Sequence, residues 1–155
     1  MEYKLHTVTP QEFMPQLPSL LKEVKAVPLV ISGNSMLPFL IHKRDTVYLS
    51  EIKGELKKGD IVLYKRNDGS YILHRIYKVE GNFFQLIGDA QPIIEKGIRR
   101  EQIIAKVTEI KRKGKLINEK SLFWKFFQKI WLNIIPLRAV LIKIYSLIKR
   151  NKQGE

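Results

Sequence analysis

The 155-residue chain contains no cysteine, which excludes a disulfide scaffold, a cysteine nucleophile and a thiolate metal site. Its three histidines, His6, His42 and His74, do not form the close pairs that zinc enzymes use. We therefore expect neither a metal ion nor another cofactor.

Long apolar runs are also missing. No stretch of about 18 uncharged apolar residues occurs, so we expect no uninterrupted transmembrane helix. The first 25 residues lack the apolar core of an export signal, and this absence favours the cytoplasmic face of the membrane.

Acidic residues are absent from one long segment. Residues 120–150 hold seven basic residues and no acid, whereas residues 1–119 hold 20 basic and 14 acidic residues. About half of the net charge of +13 therefore lies in this one segment. Such an excess suggests an anionic partner, either a membrane surface or nucleic acid.

A helical wheel separates the residues of this segment into a basic face and a wide apolar face that includes Phe123, Phe127 and Trp131. This pattern is typical of a helix that lies in a membrane interface, and Pro136 predicts a kink or a pair of helices. We expect residues 120–150 to associate with an anionic membrane at its cytoplasmic face. The alternative is a helix that packs on the preceding domain. Nucleic acid is the less favoured partner, because binding it needs no apolar face.

The preceding residues show the pattern of a small β-domain. Thr9 and Pro10 predict the start of a helical segment over residues 9–25. Short strands separated by turns are then predicted at 27–31, 46–49, 61–64, 71–79, 83–87, 103–110 and 115–117. We expect a mainly β fold, a curled sheet or partly open barrel over residues 1–119, followed by the helical tail and a short end at 151–155.

The turn Ser32-Gly33-Asn34-Ser35 carries the first candidate for chemistry. Gly33 permits a tight backbone, and N–H groups in such a turn can bind a developing oxyanion. Ser35 is therefore a candidate nucleophile. Its simpler interpretation is the N-cap of a short helix that begins at Met36.

A serine nucleophile needs a base, because its hydroxyl is weak at neutral pH. His74 is the candidate, since it lies in the middle of a strand with Ile72 and Ile76 on the same face. A third group should orient its imidazole. Asp89, after the next strand, and Glu95 are both candidates for that role.

Four segments together resemble a known group of peptidases. Ser32–Leu40 is similar to the nucleophile box of type I signal peptidases and of the wider clan that includes SOS-repressor-type autoproteases. Gly59–Tyr64 looks like the Gly-Asp-Ile-Val strand of that clan, Leu73–Ile76 like its base box and Ile87–Ala90 like its final Gly-Asp box. The boxes occur in the family's order over residues 32–95.

The resemblance implies a membrane-associated serine endopeptidase that removes leader or signal peptides. Bacterial members usually place lysine where this chain has His74, so the chain is closest to the endoplasmic-reticulum and archaeal branch. The resemblance assigns Ser35 as nucleophile, His74 as base and Asp89 or Glu95 as the third group. It also implies that the substrate binds as an extended strand, with small residues before the cut. The residues around the oxyanion and the substrate are then Ser32, Gly33, Asn34 and Met36.

Two departures from the family pattern keep other functions open. Ala90 and Gln91 stand where the family usually has asparagine, and the tail must replace the usual N-terminal anchor. The first alternative is a non-catalytic basic module, binding membrane or nucleic acid, with a relic of the peptidase fold. The second is a self-cleaving repressor-type regulator, which is disfavoured because the chain has no Ala-Gly or Cys-Gly bond and no lysine at position 74.

Overall fold

A computed structural model describes residues 10–151 of the chain. The predicted cap at Thr9, the residue His6 and residues 152–155 of the predicted C-terminal end lie outside these residues. The helices are α1 (Pro10–Phe13), α2 (Leu17–Glu23), α3 (Leu122–Lys129) and α4 (Ile135–Asn151), with 3₁₀ turns at Met14–Gln16, Arg100–Gln102 and Trp131–Asn133. The strands are β1 (Val27–Val30), β2 (Thr46–Ser50), β3 (Ile61–Lys65), β4 (Tyr71–Glu80), β5 (Phe83–Ile87), β6 (Glu95–Arg99), β7 (Ile103–Arg112) and β8 (Lys115–Asn118).

The eight strands form one antiparallel sheet in the order β1-β2-β7-β3-β4-β5-β6, with β8 paired to β7. Within the described residues β1 and β6 pair with no further strand, so the sheet does not close into a barrel. Irregular pairing at Tyr48/Leu49, Leu63/Tyr64 and Ile76/Lys78 adds the local twist that curls a sheet. The predicted mainly β fold, a curled open sheet with a helical C-terminus, is confirmed.

Both faces of the central strand β3 are covered, because side chains alternate across a strand. Ile61 and Leu63 join the larger hydrophobic cluster, whereas Val62 and Tyr64 join a smaller cluster on the opposite face. All four residues are almost completely buried. Tyr64 thus brings a hydroxyl group into an otherwise apolar layer.

The strand β6 was not predicted from the sequence. Its five residues include Glu95, Lys96, Gly97 and Arg99, and charged residues and glycine are uncommon in strands. β6 forms because it pairs with β5 at the edge of the sheet, where its charged side chains remain in contact with water. The position of Glu95 next to β3 therefore depends on tertiary pairing.

The C-terminal segment divides into a packed part and a projecting part. Trp124, Phe127 and Trp131 are buried in the larger cluster, where the rings of Phe123, Trp124 and Phe127 contact Phe39. The prediction that Phe123, Phe127 and Trp131 face a lipid surface is therefore wrong. These residues cover one face of the sheet, because the β-domain alone leaves that apolar face open to water.

Arg138 marks the boundary between the two parts. Only 1% of this residue is exposed. Its guanidinium donates to the carbonyl oxygens of Trp131, Gly88 and Gln91 at 3.1, 3.1 and 3.3 Å. The start of α4 is thereby fixed to the loop that follows β5. No helix in residues 10–151 is both long enough and apolar enough to cross a membrane.

Candidate active site

The turn that carries Ser35 is held at several points. Gly33 has a φ of 96°, a left-handed backbone conformation that glycine adopts without strain. Its N–H donates to Nδ1 of His42 at 2.9 Å. Met36 is buried in the larger core cluster, and its carbonyl accepts the N–H of Leu40 at 2.8 Å. Ser35 therefore sits half-buried on a fixed backbone.

Gly88 brings Ser35 and His74 together. The carbonyl of Ser35 accepts the N–H of Ala90 at 2.9 Å, which docks the nucleophile turn against the loop after β5. A Cβ atom on Gly88 would lie 2.5 Å from the Ser35 carbonyl oxygen and 3.0 Å from Nε2 of His74. Any larger side chain at position 88 would collide with these two atoms. Glycine therefore allows Nε2 of His74 and the backbone carbonyl of Ser35 to lie close to the same residue.

The Ser35 hydroxyl has no hydrogen-bond partner within residues 10–151, and neither has the Ser35 N–H. Catalytic hydrogen bonds are often absent or long before substrate binds, so the free hydroxyl does not exclude a role for His74. A free N–H beside a nucleophile is a donor available to an oxyanion. Ser32, Gly33 and Asn34 are exposed on the same turn, where a substrate can reach them.

The other side of His74 faces a chain of polar groups. Nδ1 lies 3.2 Å from the Tyr64 hydroxyl, and that hydroxyl donates to Oε2 of Glu95 at 2.6 Å. Arg66 in turn binds both carboxylate oxygens of Glu95, at 2.8 to 3.1 Å. His74 is 2% exposed and Tyr64 is completely buried, whereas Arg66 and Glu95 are partly exposed. The imidazole is thus connected to a carboxylate through a tyrosine.

Burial determines the charge states in this chain of groups. Burial lowers the pKa of His74 to about 4, although the Glu95 carboxylate acts in the opposite direction. Burial also raises the pKa of Glu95, but hydrogen bonds from Arg66 and Tyr64 outweigh it and bring that pKa below its usual value. Burial, together with Glu95, raises the pKa of Tyr64. At neutral pH His74 is therefore a neutral base, Glu95 is a carboxylate and Tyr64 keeps its proton.

Asp89 lies in a different environment. Arg75 binds its carboxylate through two hydrogen bonds of 2.9 and 2.8 Å, and both side chains are completely buried. Arg75 also donates to the carbonyl of Gly59 and stacks over the Phe39 ring at 4.7 Å. No hydrogen bond joins Asp89 to His74 in the described part of the chain. Of the two acids considered from the sequence, the structure links Glu95 and not Asp89 to the imidazole.

A small cavity of about 100 Å³ opens beside Ser35. It is lined by Ile31, Ser32, Gly33, Ser35, Met36, Tyr71, Ile72 and Leu73. Tyr71, Ile72 and Leu73 form the start of β4. Pairing between β4 and β5 begins only at Arg75, so among the described strands these three residues pair with β3 alone. An unpaired strand edge therefore lies next to the candidate nucleophile.

The sequence did not single out Tyr64 and Arg66. A signal for Tyr64 was available, because alternation along β3 and its pairing with β4 place it on the same face as His74. No comparable signal exists for Arg66. It follows the strand in a polar turn, and only the fold places it next to Glu95.

Comparison with known families supports the wider peptidase group inferred from the four boxes, at the level of the Peptidase S24-like family. Residues 4–108 match the model of the Peptidase S24-like family, and the matched range contains Ser35, His74, Asp89 and Glu95. Searches of curated proteins and of solved structures gave no match. The family match covers about two thirds of the chain. By fold and by family match, the chain belongs to the Peptidase S24-like family.

Proposed function

We propose that the chain is a serine endopeptidase that cuts leader or signal peptides from precursor proteins, with Ser35 as nucleophile and His74 as base. The observation that carries the proposal is the arrangement around Gly88, where Nε2 of a buried neutral imidazole and the backbone carbonyl of Ser35 both lie close to the same glycine. A buried imidazole that is neutral at working pH is ready to accept a proton.

In the proposed reaction, Oγ of Ser35 bonds to the scissile carbonyl carbon while its proton passes to Nε2 of His74. The N–H of Ser35 donates to the resulting oxyanion. The imidazolium then protonates the leaving amine as the C–N bond breaks. The same imidazole then deprotonates a water molecule, whose oxygen bonds to the acyl carbon as the C–Oγ bond breaks. The proton held on Nε2 returns to Oγ of Ser35, which restores the enzyme. Glu95 is the acid that we assign to His74, because the carboxylate of Asp89 is occupied by Arg75.

The substrate is proposed to bind along the unpaired edge of β4 at Tyr71–Leu73. An extended peptide can satisfy its backbone groups on such an edge, as in other peptide-binding sheets. The adjoining cavity of about 100 Å³ has room for a small side chain and not for a large aromatic one. This size supports the expectation of small residues before the cut.

The proposal is tested by mapping protein N-termini in producing cells that carry either the wild-type chain or Ser35→Ala. We expect a defined set of N-termini to disappear in the variant while the variant protein remains present and folded. The lost termini identify the substrate sequence and the side of the membrane on which cleavage occurs. Identical maps would refute the proposal and favour a non-catalytic module.

Self-cleavage is the second candidate, because the Peptidase S24-like family match also fits repressor-type regulators. In that case the chain itself would contain the cut bond. The mass of the purified chain, followed during long incubation at raised pH, separates the two functions. A Ser35-dependent loss of intact chain would establish self-cleavage, whereas a constant mass is the result expected of a peptidase that acts on other proteins.

We further propose that α4, rather than the whole segment 120–150, associates with an anionic membrane. Beyond Arg138, every residue of α4 except the half-buried Ile142 is exposed. The large apolar side chains exposed on α4 are Leu137, Val140, Leu141, Ile144, Tyr145, Leu147 and Ile148. Seen down the helix axis they occupy one broad side, with Lys143, Lys149 and Arg150 on the other. α4 contains no acid, so its charge complements anionic headgroups.

Replacing Ile144 and Ile148 together with aspartate is expected to abolish flotation with phosphatidylserine-containing vesicles. The substitutions place charge at the centre of the exposed apolar side without disturbing the buried Arg138. Leu116→Asp is the matched control, because Leu116 is equally exposed but lies on β8. Equal flotation of the α4 variant and the control would refute the proposal. So would binding of wild type to neutral vesicles at the same strength.

A further inference from the structure

The hydroxyl of Tyr64 can donate only one proton, and its two neighbours compete for it. Glu95 Oε2 lies 2.6 Å away and His74 Nδ1 lies 3.2 Å away. Glu95, paired with Arg66, is a carboxylate and can only accept. The tyrosine proton therefore goes to Glu95, and an oxygen lone pair is left facing Nδ1. Nδ1 of His74 must then carry the hydrogen.

This assignment fixes the tautomer of the imidazole. With hydrogen on Nδ1, the lone pair of His74 lies on Nε2, the nitrogen that faces Gly88 and the backbone of Ser35. A serine nucleophile requires this tautomer, because Nε2 must receive the hydroxyl proton. The opposite tautomer would present an N–H to Ser35 and could not act as a base.

In the described part of the chain, Tyr64 is the only group that can accept the hydrogen on Nδ1 of His74, because burial keeps water away from that nitrogen. Nδ1 of His74 has no other hydrogen-bond partner there, and both side chains are closed to bulk water. Glu95 itself does not hydrogen-bond to the imidazole; its oxygen bonds the tyrosine hydroxyl. The carboxylate therefore acts on His74 through the phenol, unlike a triad in which the acid binds the imidazole directly.

We propose that Tyr64 is a positioning residue, which carries the orienting effect of the Arg66–Glu95 pair to His74 and holds the imidazole in the Nδ1–H tautomer. This inference rests on the proposed roles of Ser35 and His74. When His74 takes the proton of Ser35, the Nδ1–H bond to the tyrosine oxygen remains and the Tyr64 proton stays on its own oxygen, so no further proton moves. The carboxylate stabilises the imidazolium across the phenol.

The tautomer can be measured independently of catalysis, by nitrogen NMR of histidine-labelled protein with His74→Gln to assign the signal. In the wild type we expect protonated Nδ1 and unprotonated Nε2 at neutral pH. In Tyr64→Phe we expect Nδ1 to lose this preference. Tyr48→Phe is the matched control, because the Tyr48 hydroxyl has no hydrogen bond within residues 10–151. Retention of the Nδ1–H tautomer in Tyr64→Phe would overturn the inference.

Activity gives the second readout. Tyr64→Phe is expected to lower kcat about 10²-fold, because the imidazole of His74 is no longer held in the required orientation. KM is expected to stay unchanged, because the edge of β4 that is proposed to bind the substrate is intact. A kcat within about twofold of the Tyr48→Phe control would also overturn the inference. If Ser35→Ala is inactive while Tyr64→Phe is fully active, the role of Tyr64 fails and the proposed function stands. If the wild type shows no Ser35-dependent cleavage, the proposed function fails and the NMR result still decides the tautomer.

Glu95→Ala covers the case in which Tyr64→Phe does not fold. Glu95 is partly exposed on the edge strand β6, so its removal leaves the core intact. Without its acceptor, the Tyr64 hydroxyl is free to donate to Nδ1, and we expect the histidine hydrogen to move to Nε2. Glu80→Ala, which removes an exposed partner of Lys78, should leave the tautomer unchanged. An unchanged tautomer in Glu95→Ala would contradict the proposal.

Discussion

Ser35→Ala and His74→Gln are each expected to lower kcat/KM by about 10³-fold or more on a peptide that spans a mapped cleavage site. The double variant is expected to be no slower than either single variant. In the proposed reaction, bond formation by Oγ and proton transfer to Nε2 are one event, so loss of either group would remove the same step.

The control for this comparison is Ser146→Ala, which removes a serine hydroxyl from α4, far along the chain from the nucleophile turn. Its rate on a soluble peptide should equal that of the wild type. Additive losses in the double variant would contradict the assignment, since they would mean that Ser35 and His74 act in separate steps. All three variants must first show the unfolding transition of a folded protein.

Asp89→Asn is expected to lower the free energy of unfolding by about 3–5 kcal/mol, because it leaves the charge of Arg75 buried without a counterion. Both side chains of this pair are 0% exposed, and the guanidinium has no access to water that would compensate. The carbonyl of Gly59 and the Phe39 ring still contact Arg75, but neither carries a negative charge. Denaturant titration of the wild type and the variant measures the difference.

The matched control is Glu80→Gln, which removes an acid from the exposed pair between Lys78 and Glu80. An exposed pair is screened by solvent, so its loss should leave the unfolding midpoint nearly unchanged. A similarly small effect of Asp89→Asn would contradict a structural role for the Arg75–Asp89 pair. Asp89 would then again be a candidate for the third catalytic group.

The two acids show why sequence order does not determine a catalytic partner. Asp89 stands in the Gly-Asp box and Glu95 six residues later, and either position suits a third group. The structure places the two acids in different environments. Arg75 points to the face of β4 opposite His74, and its guanidinium binds the carboxylate of Asp89. The route from Glu95 to His74 through Tyr64 joins side chains of three strands, β6, β3 and β4, and β6 pairs with neither of the other two.

The amphipathic tail shows a second limit of sequence analysis. A helical wheel shows which side of a helix is apolar, but it does not show whether protein or lipid covers that side. Trp124 and Phe127 cover the sheet, whereas Ile144 and Ile148, with a similar periodicity, remain exposed. The difference arises because Arg138 and Trp131 attach the chain to the loop after β5, whereas after Arg138 only Ile142 of α4 is packed against the core cluster.

Local patterns were enough to predict the mainly β fold, most of the strands and Ser35 and His74 as candidate site residues, because alternation and short motifs are local properties of the chain. The boxes spread over residues 32–95 also predicted the wider peptidase group, which the family match confirms at the level of the Peptidase S24-like family. Three features appear only in the folded chain: the pairing of Asp89 with Arg75, the link from His74 through Tyr64 to Glu95, and the packing of the first part of the tail into the core. Each of these contacts joins residues distant in sequence, and their energies depend on burial, which no local pattern specifies.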